Sequence, residues 1–168
     1  MIALPRKKTK KEVKEILDLL SELHPNAHCE LVHSSPFELL IATILSAQCT
    51  DVRVNIVTEE LFKKYNTPED FKNLSIEEIE KEIKTCGLYK SKAKKIKETS
   101  SILVDKYNSE LPDTLEELIT LPGVGRKTAG VVLSNAFGIP AIAVDTHVFR
   151  VSNRIGIVNE QTPEKTEF

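Results

Sequence analysis

A chain of 168 residues, 40% of them hydrophobic and 29% charged, suits one globular domain or two small lobes sharing chain segments. A formal net charge of -2 and a pI near 6.1 exclude a general attraction to polyanions, so any nucleic-acid binding must rest on local patches. With no tryptophan and only 5% aromatic residues the chain lacks material for single-strand stacking platforms. No apolar run reaches the ~20 residues of a membrane span and no secretory apolar segment stands at the N-terminus, which predicts a soluble, intracellular protein.

Residues 6–14 carry a basic run, and Val13, Ile16, Leu17, Leu19, Leu20 and Leu23 then mark an amphipathic helix ending near His24-Pro25. Residues 25–34 read as a loop. Ser35-Pro36-Phe37-Glu38 starts the next helix, with Ser35 as cap, Pro36 at the first helical position and Glu38 completing a capping box. Phe37 to Ala47 is nearly all apolar, the pattern of a helix buried at the centre of a domain. Ser46-Ala47-Gln48-Cys49-Thr50-Asp51 follows; its small polar residues suit turn chemistry, and equally a ligand-facing surface. On the residues alone turn chemistry is the simpler account of Gln48. Thr50 or Asp51 caps a helix to about Tyr65, with Val52, Ile56, Leu61 and Phe62 expected inward.

Thr67-Pro68 and the Ser75/Glu78 pair announce two further short helices, and Gly87 stands where a helix-ending glycine belongs. Leu88-Tyr89 is an apolar pair in a connection, suited to packing or to a wedge offered to a partner, with packing the simpler account. Lys90, Lys92, Lys94, Lys95 and Lys97 form the densest basic run, opposite an apolar face of Ala93, Ile96, Leu103, Val104 and Tyr107. A solvated face is its usual meaning, and a phosphate-facing one the alternative. Either Asp113/Glu116 or Thr114/Glu117 boxes the short helix before Leu121-Pro122-Gly123-Val124-Gly125-Arg126-Lys127-Thr128-Ala129. No alternating strand pattern occurs, so the class is all-α. The three cysteines, Cys29, Cys49 and Cys86, match no metal-ligand spacing and read as buried thiols.

The Gly123–Gly125 turn opens a helix running from about Arg126 to Phe137. Glycines let the backbone approach a ligand closely, and the first N–H groups of a helix form a positive end. That makes an anion site. Lys127 lies inside the first turn, where the positive helix end favours deprotonation of its amine, so it is a candidate nucleophile. After Ile142-Ala143-Val144, Asp145 opens a helix carrying Val148, Val151 and Ile155; as an N-cap it needs no further role, yet a short connection separates it from the Lys127 helix. A neutral amine beside a carboxylate can attack a nucleotide's C1′, expel the base and leave an imine that promotes β-elimination, once the nucleotide is flipped from the duplex. Thr162-Pro163-Glu164 signals another helix with few residues after it, which suggests a fragment.

The segment from Leu121 to Arg154, LPGVGRKTAGVVLSNAFGIPAIAVDTHVFRVSNR, closely resembles the endonuclease III family of helix-hairpin-helix DNA glycosylases with AP lyase activity. SSPFELLIATILSAQCTD (34–51) and IKTCGLYKSKA (83–93) resemble that family's other signature blocks. The resemblance implies a helical barrel domain over residues 29–139, with the helix-hairpin-helix at about 114–137. It places residues 1–28 and 140–168 in a second helical lobe that lacks its iron–sulfur portion. It implies base-excision repair of oxidised pyrimidines in double-stranded DNA by a cytoplasmic, monomeric enzyme. Lys127 becomes the Schiff-base nucleophile and Asp145 the essential carboxylate. Gly123, Val124 and Gly125 become the DNA grip, Gln48 the residue that enters the flipped nucleotide's gap, and Leu88 the wedge. The family's [4Fe-4S] cluster is expected only with four C-terminal cysteines, absent from this sequence, so no metal is assigned to these residues. Glycine at position 130, where asparagine is frequent in the family, is a departure. The incomplete lobe leads one to expect exposed apolar surface around residues 13–23 and 148–157 and weak activity or none. The competing readings are a non-catalytic DNA-binding fragment and an inactive truncated product.

Overall fold

The computed structural model describes residues 6–167. Among them are ten α-helices and no strand: α1 (Lys10–Leu23), α2 (Pro36–Ser46), α3 (Asp51–Lys64), α4 (Pro68–Asn73), α5 (Ile76–Glu82), α6 (Tyr89–Tyr107), α7 (Leu115–Leu118), α8 (Arg126–Ala136), α9 (Thr146–Ile155) and α10 (Pro163–Glu167). The chain divides into two compact units, one comprising Cys29–Ala141 and the other the segments before and after it.

The Cys29–Ala141 unit is organised around α2. Every residue from Phe37 to Leu45 is buried, and α3, α6 and α8 pack against the helix. Fully burying side chains such as Leu39, Leu40, Ile41 and Leu45 contributes roughly 1.5–3 kcal/mol each. Phe71 of α4 closes one end of the core, edge-on to Phe37 at 5.7 Å and to Tyr65 at 6.3 Å. Ser35 caps α2 by accepting from the Glu38 N–H at 3.1 Å. The Glu38 carboxylate, however, accepts from the N–H and the hydroxyl of Ser34, each at 2.6 Å, so the expected reciprocal box is displaced by one residue.

Thr50, not Asp51, caps α3. The inward face of α3 is Val54, Val57, Thr58 and Leu61; Val52 is 72% exposed and Ile56 53% exposed, contrary to expectation. Packing of α3 on α2 through Val54, Val57 and Leu61 turns Val52 and Ile56 outward, where they line a groove with Val32 and Phe62. Asn55 ties the preceding loop down, accepting from the Val32 N–H at 3.0 Å and donating to the Glu30 carbonyl at 2.8 Å. The Thr67/Asp70 and Ser75/Glu78 boxes form at the starts of α4 and α5, and Thr114 with Glu117 caps α7.

Two lysines of the basic run face inward rather than water. Lys97 donates to the carbonyls of Lys72 and Leu74, satisfying the end of α4. Lys92 is 4% exposed. In the other unit, Thr9 and Glu12 form a capping box at α1, and Arg6 pairs with Glu12 at 2.6 Å. The bond from the Thr9 backbone N–H holds the Glu12 carboxyl down at about 2. None of α1 is buried, and Leu17, Leu19, Leu20 and Leu23 lie open, as expected for residues 13–23. Gly156 ends α9 at φ +88°, its carbonyl accepting from the Lys8 N–H at 2.8 Å.

Because α2 is the central element, Leu39→Ala should destabilise the fold by about 2–5 kcal/mol, against about 1 kcal/mol for the cap variant Ser35→Ala. Urea unfolding midpoints, at unchanged slope, measure both.

Candidate functional site

The hairpin between α7 and α8 is built by local hydrogen bonds. The Leu121 N–H donates to Leu118 O at 3.1 Å and the Val124 N–H to Leu121 O at 3.0 Å. Val124 is buried, so its side chain anchors the turn while Gly123 and Gly125 lie exposed on the outside. The backbone N–H of Val124 is thus committed within the turn, and its contribution to a ligand grip is structural. Helix α6 supports the hairpin from behind: the Thr99 hydroxyl donates to Pro122 O at 2.8 Å. The Lys95 stem lies so close that a Cβ on Gly123 would stand 3.1 Å from it.

Gly125 is the N-cap of α8 and supplies no side-chain cap. The first N–H groups of the helix therefore face the region in front of the turn, where the helix dipole favours an anion. Lys127 is the second residue of α8, exposed, on the same element as the grip. Gly130 lies buried further along α8.

Two other loops of the same unit carry the remaining candidates. Gln48 (φ 54°) follows α2 and Leu88 (φ 59°) precedes α6; both are in the left-handed region and exposed, Leu88 by 59%. This conformation costs a non-glycine residue about 1–2 kcal/mol, and such strain persists where surrounding structure enforces it. Gly87, expected to end the preceding helix, does not: α5 stops at Glu82 with Ile83 as its C-cap, and Leu88 is the N-cap of α6. Gly87 instead lies where its backbone approaches the neighbouring loop, and a Cβ there would stand 3.1 Å from the Gln48 carbonyl oxygen. Sequence reasoning missed Lys92, although it stands in helical register with Ile96, Thr99, Ser100 and Leu103, all buried on one face of α6.

Asp145 lies in the other unit. It is the N-cap of α9: Oδ1 accepts from the N–H groups of His147 at 2.9 Å and Val148 at 2.8 Å, and Oδ2 lies 3.7 Å from His147 Nδ1. The capping bonds fix the carboxylate's orientation, and it is about one-third exposed.

The cysteines do not fit an iron–sulfur cluster, which needs four thiolates. Burial pushes the Cys86 thiol up to about 11, and Cys29 and Cys49 are partly buried. Among the described residues no group of His, Cys, Asp and Glu could hold a metal ion.

The two hairpin glycines should respond differently to alanine. Gly123→Ala meets both φ +84° and the Lys95 stem, and should destabilise the protein by about 1–2 kcal/mol. Gly125→Ala, at φ -91° with nothing within 4 Å of its Cβ, should leave the thermal midpoint unchanged.

Residues 41–168 match the model of the HhH-GPD superfamily base excision DNA repair proteins. Endonuclease III of Bacillus subtilis is 55% identical over 147 residues, covering 88% of this chain and 67% of the relative. That of Escherichia coli K12 is 52% identical over 153 residues, 91% of this chain and 72% of the relative. The solved structure of a trapped endonuclease III–DNA covalent intermediate superposes with a TM-score of 0.88 at 53% identity, over 95% of this chain and 76% of that one. The chain thus spans about two thirds to three quarters of the length of these relatives. Its helical fold, the glycine hairpin opening a lysine-bearing helix, and this similarity agree: the chain belongs to the HhH-GPD superfamily of base excision DNA repair proteins and, within it, to the endonuclease III family.

Proposed function

We propose that the protein excises oxidised pyrimidines from double-stranded DNA and cleaves the resulting abasic site, with Lys127 as nucleophile and Asp145 as the assisting carboxylate. The observation that carries this reading is the hairpin: an exposed backbone turn, anchored by Val124 and backed by α6, presents an anion-binding helix end and a lysine in the same helical turn. A strand phosphate held there puts a sugar carbon within reach of an amine. The trapped covalent intermediate of the related endonuclease III with DNA supports covalent chemistry of this kind.

The steps follow from the chemistry of C1′. The base leaves with the electron pair of the C1′–N bond as the Lys127 amine, having shed its proton, forms the new C1′–N bond. Positive charge gathers on the sugar meanwhile, and a carboxylate stabilises it. Ring opening gives the protonated imine. That imine acidifies C2′; loss of a C2′ proton and departure of the 3′ phosphate with the C3′–O electron pair complete β-elimination. Water then hydrolyses the imine and restores the amine. Asp145 accepts and returns protons in this scheme, and its two capping bonds to α9 keep the carboxylate aligned. Gln48 and Leu88, exposed on adjoining loops, fill the gap and wedge the opposite strand when the nucleotide flips. The Gly123–Gly125 grip holds backbone without reading sequence.

Lys127→Ala should abolish the borohydride-trapped adduct on duplex DNA containing thymine glycol. Asp145→Asn should keep duplex affinity while lowering the single-turnover rate about 100- to 10,000-fold. An adduct surviving in Lys127→Ala, or an unaltered rate in Asp145→Asn, contradicts these assignments. A protein that binds lesion-containing duplex but never forms an adduct is the non-catalytic alternative.

A further inference from the structure

The two loops that carry Gln48 and Leu88 are joined beneath their tips. At the end of α2 the last carbonyls lack helical partners. Ser46 Oγ donates to Thr43 O at 2.9 Å, the Cys49 N–H to Ser46 O at 3.0 Å, and Lys92 Nζ, from the first turn of α6, to Leu45 O at 2.7 Å. The backbone N–H of Lys92 donates in turn to Leu88 O at 3.1 Å. One residue therefore holds the end of α2, two positions before Ala47 and three before Gln48, and the carbonyl of Leu88 itself. Beside it Gly87 lies against the Gln48 carbonyl, where an added Cβ would stand 3.1 Å from the oxygen.

We propose that Lys92 is a positioning residue for opening the duplex: its buried side chain and backbone clamp the Gln48 and Leu88 loops together, so that both tips enter the DNA in one fixed register. The proposal rests on the reading of Gln48 and Leu88 given above. A long amine in an apolar interior is otherwise a costly choice for capping a helix, since burial opposes its charge and pushes the Lys92 pKa down, with the neighbouring thiols acting the other way. The two left-handed backbones, Gln48 and Leu88, stand on either side of this clamp. Strained tips on joined loops are preorganised tools, and loosening the joint releases their geometry without touching the Lys127 helix.

The test compares two substrates under single turnover with borohydride. A single-stranded oligonucleotide with an abasic site needs no duplex opening; a duplex with thymine glycol opposite 2-aminopurine does, and its fluorescence reports the unstacked opposite base. Lys92→Met should slow trapping on the duplex about 10- to 100-fold, abolish the fluorescence rise, and leave the single-stranded rate within about twofold. Should the methionine variant fail to fold, Lys92→Gln and Gly87→Ala, which crowds the Gln48 carbonyl from the other side, carry the same comparison and the same expected split. Equal loss on both substrates, or no loss on the duplex, overturns the proposal. Gln48→Ala and Leu88→Ala run alongside. If they show the duplex-specific loss and the Lys92 variants do not, the clamp alone is wrong. If they show none, the reading beneath it is wrong and the clamp falls with it.

Discussion

A helix buried over most of its length must satisfy most of its terminal N–H and carbonyl groups within the protein, and in this protein that constraint falls on α2. Nine consecutive residues of α2 are out of solvent, so the core of the Cys29–Ala141 unit forms around it. The N-terminal end is closed by Ser35 and by the Glu38 carboxylate reaching back to Ser34. The other end is closed by Ser46, Cys49 and the ammonium of Lys92. Stranding one such buried carbonyl costs about 1–3 kcal/mol, so α6 is held to α2 by polar necessity as well as by apolar packing. From α6 the same logic runs on to the hairpin, through Thr99 and the stem of Lys95. The grip, the lysine and both duplex-opening candidates are thereby referenced to one rigid helix pair.

Much of this was legible in the sequence, for identifiable reasons. Capping bonds span only three residues, so Ser35 and Thr67, each followed by proline, and Ser75 with Glu78 announced their helices correctly. The glycine hairpin and the buried α2 were equally plain, one from backbone chemistry and the other from an unbroken apolar run. What escaped depended on partners distant in sequence. The rotation of α3, which exposes Val52 and Ile56, is set by the face that packs against α2. The inward role of Lys92 depends on a carbonyl 47 residues away, invisible to any local pattern, although its register with Ile96 and Leu103 offered a hint. Glu38 found Ser34 in place of Ser35, a choice within one residue that capping rules do not resolve.

The roles proposed for Gln48 and Asp145 illustrate a different limit. Each has a sufficient structural explanation: turn formation for Gln48, and helix capping with two good hydrogen bonds for Asp145. A residue doing an ordinary structural task gives no local sign of a second one. Only the combination with the lysine-bearing hairpin, as a family pattern, supports the proposal that they serve the chemistry. In that reading the capping bonds and the left-handed loop backbones are the devices that hold the functional groups in place before substrate arrives.

The central claim is that the covalent bond to DNA is made by Lys127 and by no other amine. Proteolysis of the borohydride-reduced adduct followed by mass spectrometry of the peptides locates that bond directly. The account predicts that the sugar-phosphate remnant sits on the peptide containing Lys127 and nowhere else. A remnant carried by Lys92, by a lysine of the 90–97 run or by the basic segment before α1 would contradict it.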